Sequence, residues 1–260
     1  MGHTTLGVLP KTRRWIEVAT LLSGPADTQT VMAASAFAAE RDLLQASNDP
    51  VFIEAVRLLL AIPAAARRSD FGDALRSLDL DIHQQPELLD LLAAVSTRLE
   101  HVRSRSRSGN DLGELAARAM TSVLSTTIAD ALPGLFTATP EDVRLAARNL
   151  SWNKPVAAYS RQFFASLVAD TLSYWLDRHL DTEIGHDKRF DGVGARQAFD
   201  REVREFAWES SRIIKEFSGG WYGKTLHRDG GFSPEAAASF GYVALKKIVS
   251  DLSTRRGFDV

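Results

Sequence analysis

The sequence predicts an all-α protein, a multi-helix bundle of about nine helices forming one domain or two closely packed subdomains. Three observations carry this reading. Helix start signals recur along the chain, apolar residues between them return at helical spacing, and strand-like alternation is nowhere sustained.

In order, helices are expected over 11–23 and 27–46, where the apolar spacing is near 3.6. Asp49-Pro50 opens a third, running to 62: an N-cap acid, then Pro at the first helical position, where its missing N–H costs nothing. A fourth covers 86–103. Asp111 with Glu114 reads as a capping box ahead of 112–132. Thr139-Pro140-Glu141-Asp142 opens 140–149, and Ser233-Pro234-Glu235 opens 234–254. Both add acids to the first turn, which offset the helix dipole. Two further helices are expected over 155–184 and 195–217. In the latter, Phe199, Val203, Phe206, Ser210, Ile213 and Phe217 follow at steps of three or four, a core-facing stripe. Glu205, Glu209, Arg212 and Glu216 run along another, solvated side. An exposed seam for a partner helix is the alternative for the stripe.

Composition narrows the function classes. At 260 residues, 45% hydrophobic and 25% charged, the chain is an ordinary globular sequence rather than a disordered one. It has no Cys, which excludes disulfides, thiolate zinc sites, iron–sulfur ligation and cysteine nucleophiles. Its formal charge of −2 offers no global positive field to nucleic acid or membrane. Arg far outnumbers Lys and Ala is abundant, a bias that suits a GC-rich bacterial genome. The N-terminus shows no basic-then-apolar leader. The longest apolar run, 58–66, is broken by Pro63 and falls short of the roughly 20 residues of a membrane span. A cytoplasmic protein without membrane contact is expected. Only Trp15, Phe37, Phe52, Phe71 and Phe136 of the aromatics precede residue 137. The chain thus divides into an Ala/Leu-rich helical region, 1–137, and an aromatic-rich one, 138–260.

Several constellations invite chemistry. Ser218-Gly219-Gly220-Trp221-Tyr222-Gly223-Lys224-Thr225 ends like a phosphate loop but has Ser218 at the first Gly position and follows a helix instead of a strand. The expectation is a helix C-cap at Gly219-Gly220, then a loop presenting Trp221, Tyr222 and Lys224 to a partner. His179, Glu183 and His186 would share one face of an unbroken helix and are candidates for a metal shell, with Gly185 a break between the last two. Arg76 and His83 stand at a spacing allowed in one family of helical ribonucleases, a match that chance readily supplies. Asp170 lies on an apolar side of its helix, with Arg161 or Arg178 as its expected partner. The linker Arg103-Ser104-Arg105-Ser106-Arg107 is the one concentrated basic stretch and is the candidate nucleic-acid contact. No catalytic pair and no cofactor motif stands out.

The stretches Leu9-Pro10-Lys11-Thr12-Arg13-Arg14-Trp15 and Phe217 to Lys224, with Lys246-Lys247, resemble an uncharacterised prokaryotic all-helical family associated with phage-defence gene clusters. The resemblance implies a subunit of a multi-component system and carries over no site. The expected function is therefore a non-enzymatic helical subunit that contacts other protein subunits, with nucleic acid as a further candidate partner. Direct RNA or DNA binding, and a metal-dependent hydrolase or ribonuclease, are the alternatives.

Overall fold

A computed structural model describes residues 9–106, 111–134 and 137–256, with the side chains of 46 and 253–256 outside the description. Among the described residues there are eleven α-helices and no strand: α1 Arg13–Leu22, α2 Thr28–Ala46, α3 Pro50–Ala65, α4 Phe71–Arg76, α5 Leu88–Arg105, α6 Asp111–Ala129, α7 Pro140–Asn149, α8 Asn153–Leu180, α9 Val193–Ser210, α10 Ile213–Asp229 and α11 Pro234–Arg256. A 3-10 turn, Asp181–Glu183, follows α8. No described helix is long and apolar enough to cross a membrane.

The start signals work as the sequence implies. Asp49 accepts from the Val51 and Phe52 N–H groups at 2.8 and 3.1 Å. Thr139 and Asp142 form a reciprocal capping box, and the Ser233 hydroxyl accepts from Ala236 N–H at 3.2 Å. Asp111 differs. It already lies inside α6, and its carboxylate takes the Tyr174 hydroxyl instead of capping.

Helix α8 is the axis of the bundle. Buried residues occupy every side of it, from Val156 through Phe163, Phe164 and Val168 to Leu176, as expected of a helix enclosed by others. It packs against α10, α9, α6, α2 and α3, while α11 covers α2 and α3. The aromatic-poor and aromatic-rich regions therefore share one core, continuous from Leu9 to Leu252. At its centre Phe52 of α3 meets Phe164 edge-on at 6.4 Å, and Phe164 meets Phe240 of α11 at 6.0 Å.

One buried ion network braces α3. Glu54 accepts from Arg57 at 2.8 and 2.7 Å and from Arg98 of α5 at 2.7 Å. Arg57 also donates to the Leu78 carbonyl at 2.8 Å, and Arg98 reaches Asp79 at 3.1 Å. Burial pushes the Glu54 carboxyl up, but the two guanidiniums more than offset it, leaving it below the ordinary glutamate range.

Three expectations need correction. The short α4 has too few residues for periodicity to show. The helix expected over 195–217 is two helices, broken at Ser211-Arg212. There the hydroxyls of Ser210 and Ser211 turn back to the carbonyls of Phe206 and Trp208, at 2.9 and 2.8 Å, the local bonding that competes with a continuing helix. Finally, Gly219-Gly220 is no C-cap. α10 runs straight through it and ends at Gly230, whose φ of 70° supplies the left-handed cap.

Candidate functional site

Helix α9 presents Glu202, Glu205 and Glu209 on one face, three and four residues apart, all exposed. Across from them stands Asp27, which caps α2 by accepting from Thr30 N–H at 2.7 Å. That bond holds its carboxyl below the ordinary range. Between the two helices lies a groove of about 600 Å³, with buried Met32 and Phe206 among its lining residues. It adjoins a second hollow of about 580 Å³, which shares Thr28, Arg189 and Glu202 and reaches Phe190 and Phe199.

Among the described residues, Arg189 is the one cation lining the first groove, and its guanidinium is already engaged. It donates to the carbonyls of Leu21 and Gly24 at 3.3 Å and of Ala26 at 2.8 Å, closing the end of α1 and the turn after it. Burial lowers its pKa, opposed by the charges of Asp27, Glu183 and Glu202. Four carboxylates therefore rim a partly apolar groove against one guanidinium.

Beside it, the Ser23 hydroxyl donates to Glu183 at 2.9 Å, and His179 Nε2 lies 3.3 Å from both. A hydrolytic triad sets serine and acid on opposite nitrogens of the imidazole. Here both face the same nitrogen, and the hydroxyl spends its proton on the carboxylate. The cluster ties the end of α1 to the end of α8. His186 does not join it: α8 ends at Leu180, the backbone turns at Gly185, and His186 is 95% exposed beside Asp187 at 2.8 Å. Among the described residues, no group of three or more His, Asp or Glu side chains could hold a metal. The expected His179–Glu183–His186 shell is thus not assembled.

The other expected site residues are dispersed. Trp221 and Tyr222 belong to the middle of α10. Tyr222 is 1% exposed and stacks on Phe232 at 4.9 Å, while Trp221 packs on Phe240 at 4.7 Å. An exposed aromatic loop is therefore corrected to a core-facing pair, Tyr222 buried and Trp221 half-buried, with Lys224 exposed. Arg103 and Arg105 are exposed in the last turn of α5, and Arg103 is paired with Glu100 at 2.8 and 2.9 Å. Arg107 lies outside the described residues. Arg76 serves Asp73, Gln84 and the Ile82 carbonyl, whereas His83 pairs with Asp90 at 3.3 Å. Those two do not form a ribonuclease pair. Burial raises the Asp170 carboxyl, and the charges that oppose this are Arg118 and Arg204, not Arg161 or Arg178.

Helical spacing puts Glu205 and Glu209 on a solvated side, but the groove they rim is not visible in the sequence. The spacing of Glu202, Glu205 and Glu209 was the available signal. Asp27, Arg189 and Ser23 had none, because their roles depend on which chain ends meet.

No known family model, curated protein or solved structure matches this chain.

Proposed function

We propose that the chain is a non-enzymatic helical subunit of a prokaryotic multi-component assembly, holding a partner protein in the groove between α2 and α9. One observation carries the reading: four carboxylates, Asp27, Glu202, Glu205 and Glu209, rim a groove in which Met32 and Phe206 provide apolar surface. That arrangement suits a basic amphipathic helix, whose apolar face seats in the groove while its Lys and Arg side chains meet the rim. The setting among phage-defence systems is proposed on the resemblance of 9–15 and 217–224 alone.

A hydrolase is the less favoured reading. The Ser23, His179 and Glu183 geometry ties helix ends together, and Arg76 and His83 face separate partners.

The test is capture of bound proteins by the native chain and by the triple variant Glu202→Lys, Glu205→Lys, Glu209→Lys, with crosslinks mapped by mass spectrometry. The expected result is a protein crosslinked to α9 through a basic segment and lost from the folded triple variant. A partner retained by that variant, or no crosslink at the groove, overturns the proposal.

A further inference from the structure

A further concave surface lies at the head of α8. This cleft of about 750 Å³ is lined by Arg67, Trp152, Lys154, Tyr222 and His227 among others, and none of the described lining residues is acidic. Its volume is within the range of small-ligand sites. The glycines of α10 build it. A Cβ at Gly219 would overlap the Asn153 backbone, and one at Gly223 would press on the Asn153 side chain. One turn apart, the two glycines let the start of α8 lie directly on α10, with Lys154 and His227 lining the same cleft.

The end of α8 that opens there suits an anion. The helix is 28 residues long, no side chain caps its N-terminus, and its first turn holds no acid. Helix α9 shares the last two features, whereas α7 has Glu141 and Asp142 at that place and α11 has Glu235. The first backbone bond inside α8 runs from Val156 N–H to the Trp152 carbonyl at 2.9 Å. The N–H groups of Asn153 and Lys154 precede it and sit at the positive end of the helix dipole.

A separate feature points to a ligand. Tyr222 is almost wholly buried, yet its hydroxyl has no hydrogen-bond partner. A buried polar group in that state costs free energy and is uncommon. This one belongs to a residue lining the cleft, where the charge of Arg67 opposes the upward push of burial on the phenol's pKa. An oxyanion in the cleft would satisfy the hydroxyl and face three basic side chains. Trp152 adds a second recognition element. It is 54% exposed, with the Arg67 guanidinium 5.5 Å from its ring centroid, which leaves indole surface for a base.

We propose that this cleft binds a nucleoside phosphate, free or as the 5′-phosphorylated end of a strand. The phosphate meets the first turn of α8, Arg67, Lys154, His227 and the Tyr222 hydroxyl, and the base stacks on Trp152. This site is independent of the α2–α9 groove and shares no lining residue with it.

Titration calorimetry of the full chain tests it with inorganic phosphate, adenosine, AMP and a short oligonucleotide with either a 5′-phosphate or a 5′-hydroxyl. AMP or the 5′-phosphorylated strand is expected to bind about tenfold or more tighter than its unphosphorylated counterpart. Tighter binding of AMP assigns a free nucleotide, and tighter binding of the strand assigns a nucleic-acid end; either supports the site. Tyr222→Phe keeps the packed ring and should weaken binding about fivefold or more without lowering Tm. Trp152→Ala should bring AMP down to the affinity of inorganic phosphate. Equal binding of the two strands, equal binding of phosphate and AMP by the native chain, no binding at millimolar ligand, or unchanged affinity in Tyr222→Phe overturns the proposal.

Discussion

The groove between α2 and α9 and the cleft at the head of α8 are both bounded by helices, yet their charges are opposite and their construction differs. The groove draws three of its four acids from one face of α9, so a single helix sets its character. The cleft collects Arg67 just after α3, Lys154 from α8 and His227 from α10. Its positive field exists only because those elements meet. A surface charged by one helix survives local rearrangement, whereas one charged by convergence depends on the packing beneath it. Perturbing the core should therefore disturb the cleft before the groove.

The largest expected effect comes from the ion network that braces α3, the helix leading to Arg67. Glu54→Ala leaves Arg57 buried without its carboxylate and should cost about 3–5 kcal/mol, read by urea unfolding. The native acid limb depends on the same group. With a folded pKa below the ordinary value of 4.5, Glu54 contributes its full stability above that value and loses it as pH falls through the folded pKa. In Glu54→Gln that part of the acid loss should disappear. An unchanged acid limb would show that other carboxylates control it.

A smaller effect separates two adjacent glycines. Gly219→Ala drives a methyl into the Asn153 backbone and should cost about 1–3 kcal/mol, with loss of binding at the cleft. Gly220 has open space around its missing Cβ and lies inside the same helix, so Gly220→Ala should gain about 0.5–1 kcal/mol. Equal thermal shifts for the two would show that α10 is not pressed against α8 at Gly219 in a way that it is not at Gly220.

The smallest stability change is expected in the groove. Glu202→Gln, Glu205→Gln and Glu209→Gln are exposed replacements and should each shift stability within about 0.5 kcal/mol. Together they should weaken a basic partner and flatten its salt dependence while leaving nucleotide affinity at the cleft unchanged. Coupled losses at both surfaces would show that the two are not independent.

Helix starts were legible because their chemistry is local. Asp49-Pro50, Thr139-Pro140 and Ser233-Pro234 each satisfy orphan N–H groups within one turn, whatever surrounds them. Helix ends were less so. Gly219-Gly220 carries the composition of a cap, but a glycine also serves where two backbones approach, and only the position of Asn153 distinguishes those uses. The candidate sites divide the same way. The row of acids on α9 was visible, while Arg189 spanning three carbonyls and Arg67 beside Trp152 were not.

By itself, then, the sequence determined the all-α class, the N-caps at Asp49, Thr139 and Ser233, and the core stripe of α9, because these follow from hydrogen bonds and apolar spacing within a few residues. Tertiary structure alone decided that Tyr222 is buried with a free hydroxyl, that His186 turns away from His179, and that Arg67, Lys154 and His227 line one cleft. Those are relations between helices far apart in the chain, and the packing around α8 sets them.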